Sequence, residues 1–226
     1  AQDELQVAEH PLLGSVREAL IALKRAELAP TTQIGVTPTP VLVRGVERRA
    51  SIATEPDLEA NRPLGLYGNA FRRASDDAVR GAIALLAPTT FSNIVAIEAP
   101  YARGVGRYSR EDLVQALTVA KAGFSAVAQE SSEAGAKRIE LHTGHWGTGV
   151  YGGDRVGMAL VQLIAASLVG IDEVVFHAFD QQGVAHVQQA EKYLDQLMNE
   201  PASKSLERVV DVLESFGFRW GEGDGN

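Results

Sequence analysis

The chain has 226 residues, 45% of them apolar and 22% charged, enough for one large domain or two small ones with a sizeable core. Its net charge of −8 argues against general affinity for nucleic acid. The absence of cysteine excludes disulfides, thiolate metal ligands and a cysteine nucleophile.

No apolar run reaches the roughly 18 residues of a membrane helix, so no membrane association is expected. The sequence starts at Ala1 without methionine and shows no signal peptide, and a cytoplasmic location is expected. "SVREALIALKRAEL" (15–28) predicts a helix with Ser15 as N-cap and Glu18 at the capping-box position. A proline-punctuated connector follows (31–40), then the strand "VLVRGV" (41–46) and a long loop over 47–71. "SDDAVRGAIALLAP" (75–88) predicts a helix capped by Ser75, and "NIVAIEAP" (93–100) a buried strand ending near Glu98.

A long helix is expected over 109–135, opened by Ser109, then the strand "RIELHTG" (138–144). "DRVGMALVQLIAASLVG" (154–170) is apolar almost all round, which predicts a buried helix. The strand "DEVVFHAFD" (172–180) and two C-terminal helices complete the chain. Strands alternating with helices predict an α/β layered fold with a largely parallel sheet.

The informative stretch is the loop between the strand at 138–144 and the buried helix. Gly144, Gly147, Gly149, Gly152 and Gly153 crowd together there with Trp146 and Tyr151. In open α/β sheets ligands bind beyond the carboxyl ends of strands. A helix N-terminus at that place favours phosphate, and glycines let the backbone approach it. A diphosphate-binding loop is one reading and a tight connector held by packing is the other.

Gly147, Gly149 and Gly152 fit G-x-G-x-x-G, but a Rossmann site is disfavoured. Extra residues, "HTGHW", separate the strand from the pattern. Asp172 and Glu173 also precede the next strand, where the ribose-binding carboxylate should follow it. A P-loop fails for want of Gly-Lys-Ser/Thr.

"TGHWGTGVYGGDRVGMALVQLIAAS" (143–167) strongly resembles the carboxyl-terminal part of the poly(ADP-ribose) glycohydrolase catalytic domain, whose loop reads T-G-N-W-G-x-G-x-F-G-G-D before an alanine-rich helix. "VVFHAFD" (174–180) and "NIVAIEAP" (93–100) extend the resemblance, and "PLGLYGNAF" (63–71) resembles a tyrosine-containing family segment more loosely. The resemblance is best over residues 90–180, while 1–88 diverge. It implies a single macrodomain-like domain over residues 1–226, in three layers: a mostly parallel central sheet with helices on both faces.

It implies ADP-ribose or poly(ADP-ribose) as partner, with no cofactor and no metal. The ligand-binding set it implies is Gly144, Trp146, Gly147, Thr148, Gly149, Val150, Tyr151, Phe179 and Tyr67. The backbone from Gly147 to Tyr151 would cradle the diphosphate. Tyr151 would lie beside the distal ribose, Phe179 near the adenosine and Tyr67 near the adenine. His145 replaces a family asparagine.

The family's chemistry uses a glycine triplet and a Gln-Glu-Glu run whose second glutamate is the general acid; neither run occurs here. The nearest counterpart is "GSVREALIAL" (14–23), where Arg17 replaces glutamine, Glu18 matches the first glutamate and Ala19 takes the catalytic place. The triplet positions fall on "VAE" (7–9). The resemblance therefore implies degraded glycohydrolase chemistry. An active enzyme would need a relocated carboxylate, with Glu98, Glu18 or Asp154 as candidates; their structural readings are a capped strand end for Glu98, the Ser15 capping box for Glu18 and a helix cap for Asp154. A structural or interaction protein with an empty ancestral site is the third reading.

His142 and His145, three apart, have no acidic cluster or cysteine beside them, so ordinary polar contacts are expected there rather than a zinc site. The cluster of Arg44, Arg48, Arg49, Arg62, Arg72 and Arg73 is read either as a phosphate-attracting patch or as scattered surface charge. Phe216, Phe218 and Trp220 are read as packing residues.

Overall fold

A computed structural model of the chain describes residues 2–101, 105–199 and 205–221. In chain order the elements begin with helices α1 (Gln2–Glu9) and α2 (Pro11–Ala22) and a 3-10 turn at Ala26–Leu28. Strands β1 (Gln33–Ile34), β2 (Thr37–Pro38) and β3 (Val41–Ile52) follow, then helices α3 (Asn69–Arg73) and α4 (Asp76–Gly81) and strand β4 (Ile83–Ala96). Next come β5 (Gly106–Arg107), α5 (Arg110–Glu133), β6 (Glu140–Thr143), α6 (Arg155–Val169) and β7 (Glu173–Phe176). Helices α7 (Gln181–Asn199) and α8 (Leu206–Phe216) and strand β8 (Arg219–Trp220) end the series.

The chain forms two compact units. The first takes residues up to Pro30 together with Leu42–Ile94. It holds α1, α2 and the two-stranded sheet of β3 and β4. Pro11 sets where α2 begins: a proline at the first helical position lacks only an N–H that would be orphaned anyway. The helix therefore starts four residues before Ser15, and the Ser15–Glu18 capping box does not form. Ser15 Oγ instead donates to Pro11 O at 3.1 Å, and Glu18 is exposed in mid-helix.

The junction of α1 and α2 is tied down by two buried polar residues. Glu9 accepts from Arg48 Nε and from Ile52 N, both at 2.8 Å. His10, 1% exposed, lies 2.8 Å from both Gln6 O and Ser92 Oγ.

The second difference lies at 83–88, expected as the end of a helix. Ser75 caps α4 as read, its side chain accepting from Ala78 N at 3.2 Å, but the helix stops at Gly81. "IALLAP" then belongs to β4, because a short apolar run satisfies a strand as well as a helix. Strand β3 likewise runs six residues past its expected end at 46, shortening the expected loop.

The second unit takes Thr31–Val41 and the chain from Val95 on. Its centre is α6, with every residue from Gly157 to Ala166 buried except Leu163. On α5 the buried positions 113, 116, 117, 119, 120, 123 and 124 repeat at helical spacing and form one face. Ser109 and Asp112 close a complete capping box at its start. Leu141, Val174 and Phe176 bring one face of the β6–β7 pair onto this core. On α8, Val209, Val210 and Leu213 close its other end with Phe218 and Trp220.

The strands of β6 and β7 are parallel, Leu141 opposite Val174 and Thr143 opposite Phe176, with α6 as the crossover. This βαβ unit is the parallel core of an α/β chain. Among the described residues the strands pair only two by two, and β1–β2 and β5–β8 are antiparallel. The expected continuous, mostly parallel sheet is thus represented by one pair. No helix among the described residues is long and apolar enough to cross a membrane.

Candidate ligand-binding site

The glycine loop leaves the carboxyl end of β6 and enters α6. Gln162, buried in α6, fixes where it starts. Its Oε1 accepts from Thr143 Oγ1 at 2.5 Å, and its Nε2 donates to Gly144 O at 3.1 Å and Met158 O at 3.2 Å. His177 N donates to Thr143 O at 2.8 Å, carrying the parallel ladder one residue past β7.

The loop then folds on itself. Trp146 N donates to Gly144 O, Gly152 N to Gly149 O and Gly153 N to Gly147 O, at 2.8, 3.0 and 2.9 Å. Thr148, 2% exposed, donates through Oγ1 to His145 O. The C-terminal strand braces the far side, where Gly221 N donates to Gly152 O at 2.9 Å.

Two glycines are required here. Gly147 has φ +72°, and a Cβ there would lie 3.1 Å from Pro100 O and 3.3 Å from its ring. A Cβ on Gly153 would lie 2.5 Å from Gly147 O. With both turns pulled tight, the arc between them is pushed outward. Val150 is 77% exposed and Tyr151 51%. Among the described residues no hydrogen bond engages the N–H groups of Gly149, Val150 or Tyr151. Three consecutive donors thus have no partner among the described residues, a feature an anion-binding loop requires.

The N-terminus of α6, by contrast, is already served. Asp154 Oδ1 accepts from Gly157 N at 2.8 Å, so its carboxylate occupies the positive end of the helix. Asp154 N donates to the buried Tyr108 hydroxyl at 2.8 Å, and burial pushes that phenol's pKa above the usual tyrosine range. Asp154 is therefore a cap, and any phosphate grip comes from the loop amides rather than the helix end.

Side chains wall the loop. The His145 ring meets Phe176 edge-on at 5.2 Å and lies roughly parallel to Phe179 at 6.1 Å. Phe179 is 63% exposed, so its outer surface is open. Trp146 is half-buried with its Nε1 sealed from solvent and without a hydrogen-bond partner. Glu98 lies two residues before Pro100, the residue under Gly147, and accepts from Thr32 Oγ1 at 2.8 Å.

A model of a known family, described as poly(ADP-ribose) glycohydrolase with the macro domain fold, matches residues 67–186, more than half of the chain. The chain belongs to this family. No curated protein sequence gives a significant match.

The glycohydrolase-family match covers β4, the glycine loop, α6 and β7, and it takes in Tyr67, Glu98 and Phe179. The second unit brings Gly144, Trp146, Gly147, Thr148, Gly149, Val150, Tyr151 and Phe179 into one neighbourhood, with the Glu98–Pro100 segment beside them. Tyr67 and Glu18 belong to the first unit, Tyr67 half-buried just before α3 and Glu18 outside the matched residues. The "VAE" at 7–9 lies in α1, where Glu9 is a structural anchor.

Of the six clustered arginines, Arg48 pairs with Glu9, Arg49 with Glu47 and Arg62 with Asp57. At least half the cluster is thereby internally neutralised. Among the described residues no three His, Asp or Glu side chains converge as a metal cage. Sequence reasoning missed Gln162, Pro100 and Gly221. Their roles arise from contacts across 18 to 69 positions, which no local pattern reveals.

Proposed function

We propose that the chain recognises ADP-ribose or the termini of poly(ADP-ribose) through the glycine loop, and that its glycohydrolase chemistry is degraded. The observation that carries this reading is the run of unengaged amides from Gly149 to Tyr151. They belong to a loop that Gln162 and Gly221 hydrogen-bond and that packs against Pro100. Such amides suit a diphosphate, and the open faces of Tyr151 and Phe179 suit the ribose and adenosine ends. Tyr67 is assigned to the adenine on the family resemblance. So are the completion of a macrodomain-like whole over both units and its central, mostly parallel sheet.

On the family resemblance Ala19 takes the acid position, and the neighbouring Glu18 is an exposed helix residue. Loss of a general acid costs about two to four orders of magnitude in rate. A second reading, an active hydrolase with a relocated acid, is favoured by one feature. Glu98 is half-buried on the segment that touches the loop.

Titration calorimetry with ADP-ribose, using Gly149→Val alongside the parent chain, tests the binding claim. Gly149 is not one of the positive-φ glycines, so the substitution does not force a left-handed side-chain-bearing residue, and it sets a branched side chain on the segment whose amides are proposed to bind. Binding by the parent and its loss in a folded Gly149→Val supports the reading. Equal binding by both contradicts it. Incubation with poly(ADP-ribose) separates the two chemistries: release of ADP-ribose that vanishes in Glu98→Gln selects the relocated-acid enzyme.

A further inference from the structure

The face of the β6–β7 pair turned away from the core carries Glu140, His142, Val175 and His177. The sequence neighbours His142 and His145 do not meet there, since the His145 ring packs against Phe176 and Phe179. The fold instead sets His142 against His177, from the adjacent parallel strand. His142 Nδ1 lies 2.9 Å from His177 Nε2, the ring centroids are 5.2 Å apart, and both residues are exposed. The other nitrogen of His142, Nε2, lies 2.7 Å from Glu140 Oε1.

We propose that His142 and His177 form a surface two-histidine site for a divalent transition-metal ion, with Glu140 as the carboxylate that orients His142. An ionised carboxylate only accepts, so Glu140 holds the protonated nitrogen of His142 at Nε2 and leaves the lone pair of Nδ1 facing His177. A carboxylate on the far nitrogen is the usual device that fixes a ligating imidazole's tautomer and raises its basicity. Metal replaces the shared hydrogen bond when His177 moves its proton from Nε2 to Nδ1.

Metal–imidazole bonds of about 2.0–2.1 Å to donors 2.9 Å apart subtend about 90°. That is the angle between neighbouring positions in square-planar or octahedral coordination, so Cu²⁺ and Ni²⁺ fit better than tetrahedral Zn²⁺. With two protein donors the remaining positions hold water, and the ion exchanges readily. Bound there, it clips β6 to β7 beside the point where the glycine loop departs.

The untagged chain titrated with nickel chloride tests this, by calorimetry and by paramagnetic broadening of backbone amide signals. The expected result is about one ion per chain, broadening centred on residues 140–142 and 175–177, and more than about a tenfold loss of affinity in His142→Ala and in His177→Ala. Glu140→Gln weakens binding less, and His186→Ala leaves it unchanged. Both substituted rings are exposed, so the folded state is retained, which a thermal melt verifies. Absence of binding, broadening centred elsewhere, or unchanged affinity in the two histidine variants overturns the proposal.

Discussion

At the residue scale, Gly147 and Gly153 do what no other residue type can do at their positions. The first turns left-handed against Pro100 and the second lets the loop close on its own carbonyl. Forcing an L-residue into the left-handed region costs roughly 1–2 kcal/mol, and the Pro100 contact adds to that. Gly147→Ala is therefore expected to lower stability by at least about 1 kcal/mol in urea unfolding. A variant as stable as the parent would show that the turn is not held as described. The density of glycines was legible in the sequence. Which of them carry strain was not, because that depends on Pro100, nearly fifty positions away.

At the scale of elements, the chain's capping signals were its most readable feature. Ser75, Ser109 and Asp154 each accept from the backbone N–H three residues on, and the buried character of α6 followed from its unbroken apolar run. The misreadings have specific causes. Pro11 starts α2 early and overrides the Ser15 signal. Gly81 ends α4, after which an apolar run without decisive periodicity becomes β4.

The reciprocal box on α5 offers a check through Ser109, which is exposed and whose hydroxyl bonds only to Asp112 among the described residues, whereas Asp112 is half-buried and also accepts from Trp220 Nε1. Ser109→Ala should cost about 1 kcal/mol with ADP-ribose affinity unaltered. A loss of affinity with unchanged stability would mean that the start of α5 takes part in binding. The pairing of His142 with His177 was invisible beforehand for the reason that hid Gln162. It is created by strand register rather than by spacing along the chain.

At the scale of the whole molecule, the chain is an α/β member of its family whose second unit carries the βαβ core and the glycine loop. That unit is locked by Tyr108. Its hydroxyl receives Asp154 N–H, its ring lies 4.0 Å from that of Trp220, and Trp220 in turn donates to Asp112. Burial raises the Tyr108 pKa, so the folded state keeps this proton where the unfolded chain gives it up. The sign follows from linkage. The contribution is complete below about pH 10, the ordinary tyrosine value, and is lost as pH rises beyond it.

Unfolding free energies taken from pH 8 to 11 should fall more steeply for the parent than for Tyr108→Phe. That variant is less stable at pH 8 because Asp154 N–H loses its acceptor. Identical slopes would place the alkaline loss elsewhere.

In the proposed function, three consecutive main-chain donors at Gly149, Val150 and Tyr151 grip a diphosphate. Backbone amide resonances followed during titration with ADP-ribose, and in parallel with adenosine, test it most directly. ADP-ribose should move those three signals strongly downfield, whereas adenosine should leave them in place and perturb the surroundings of Phe179. Shifts confined to other segments, or equal responses to the two ligands, would contradict the claim.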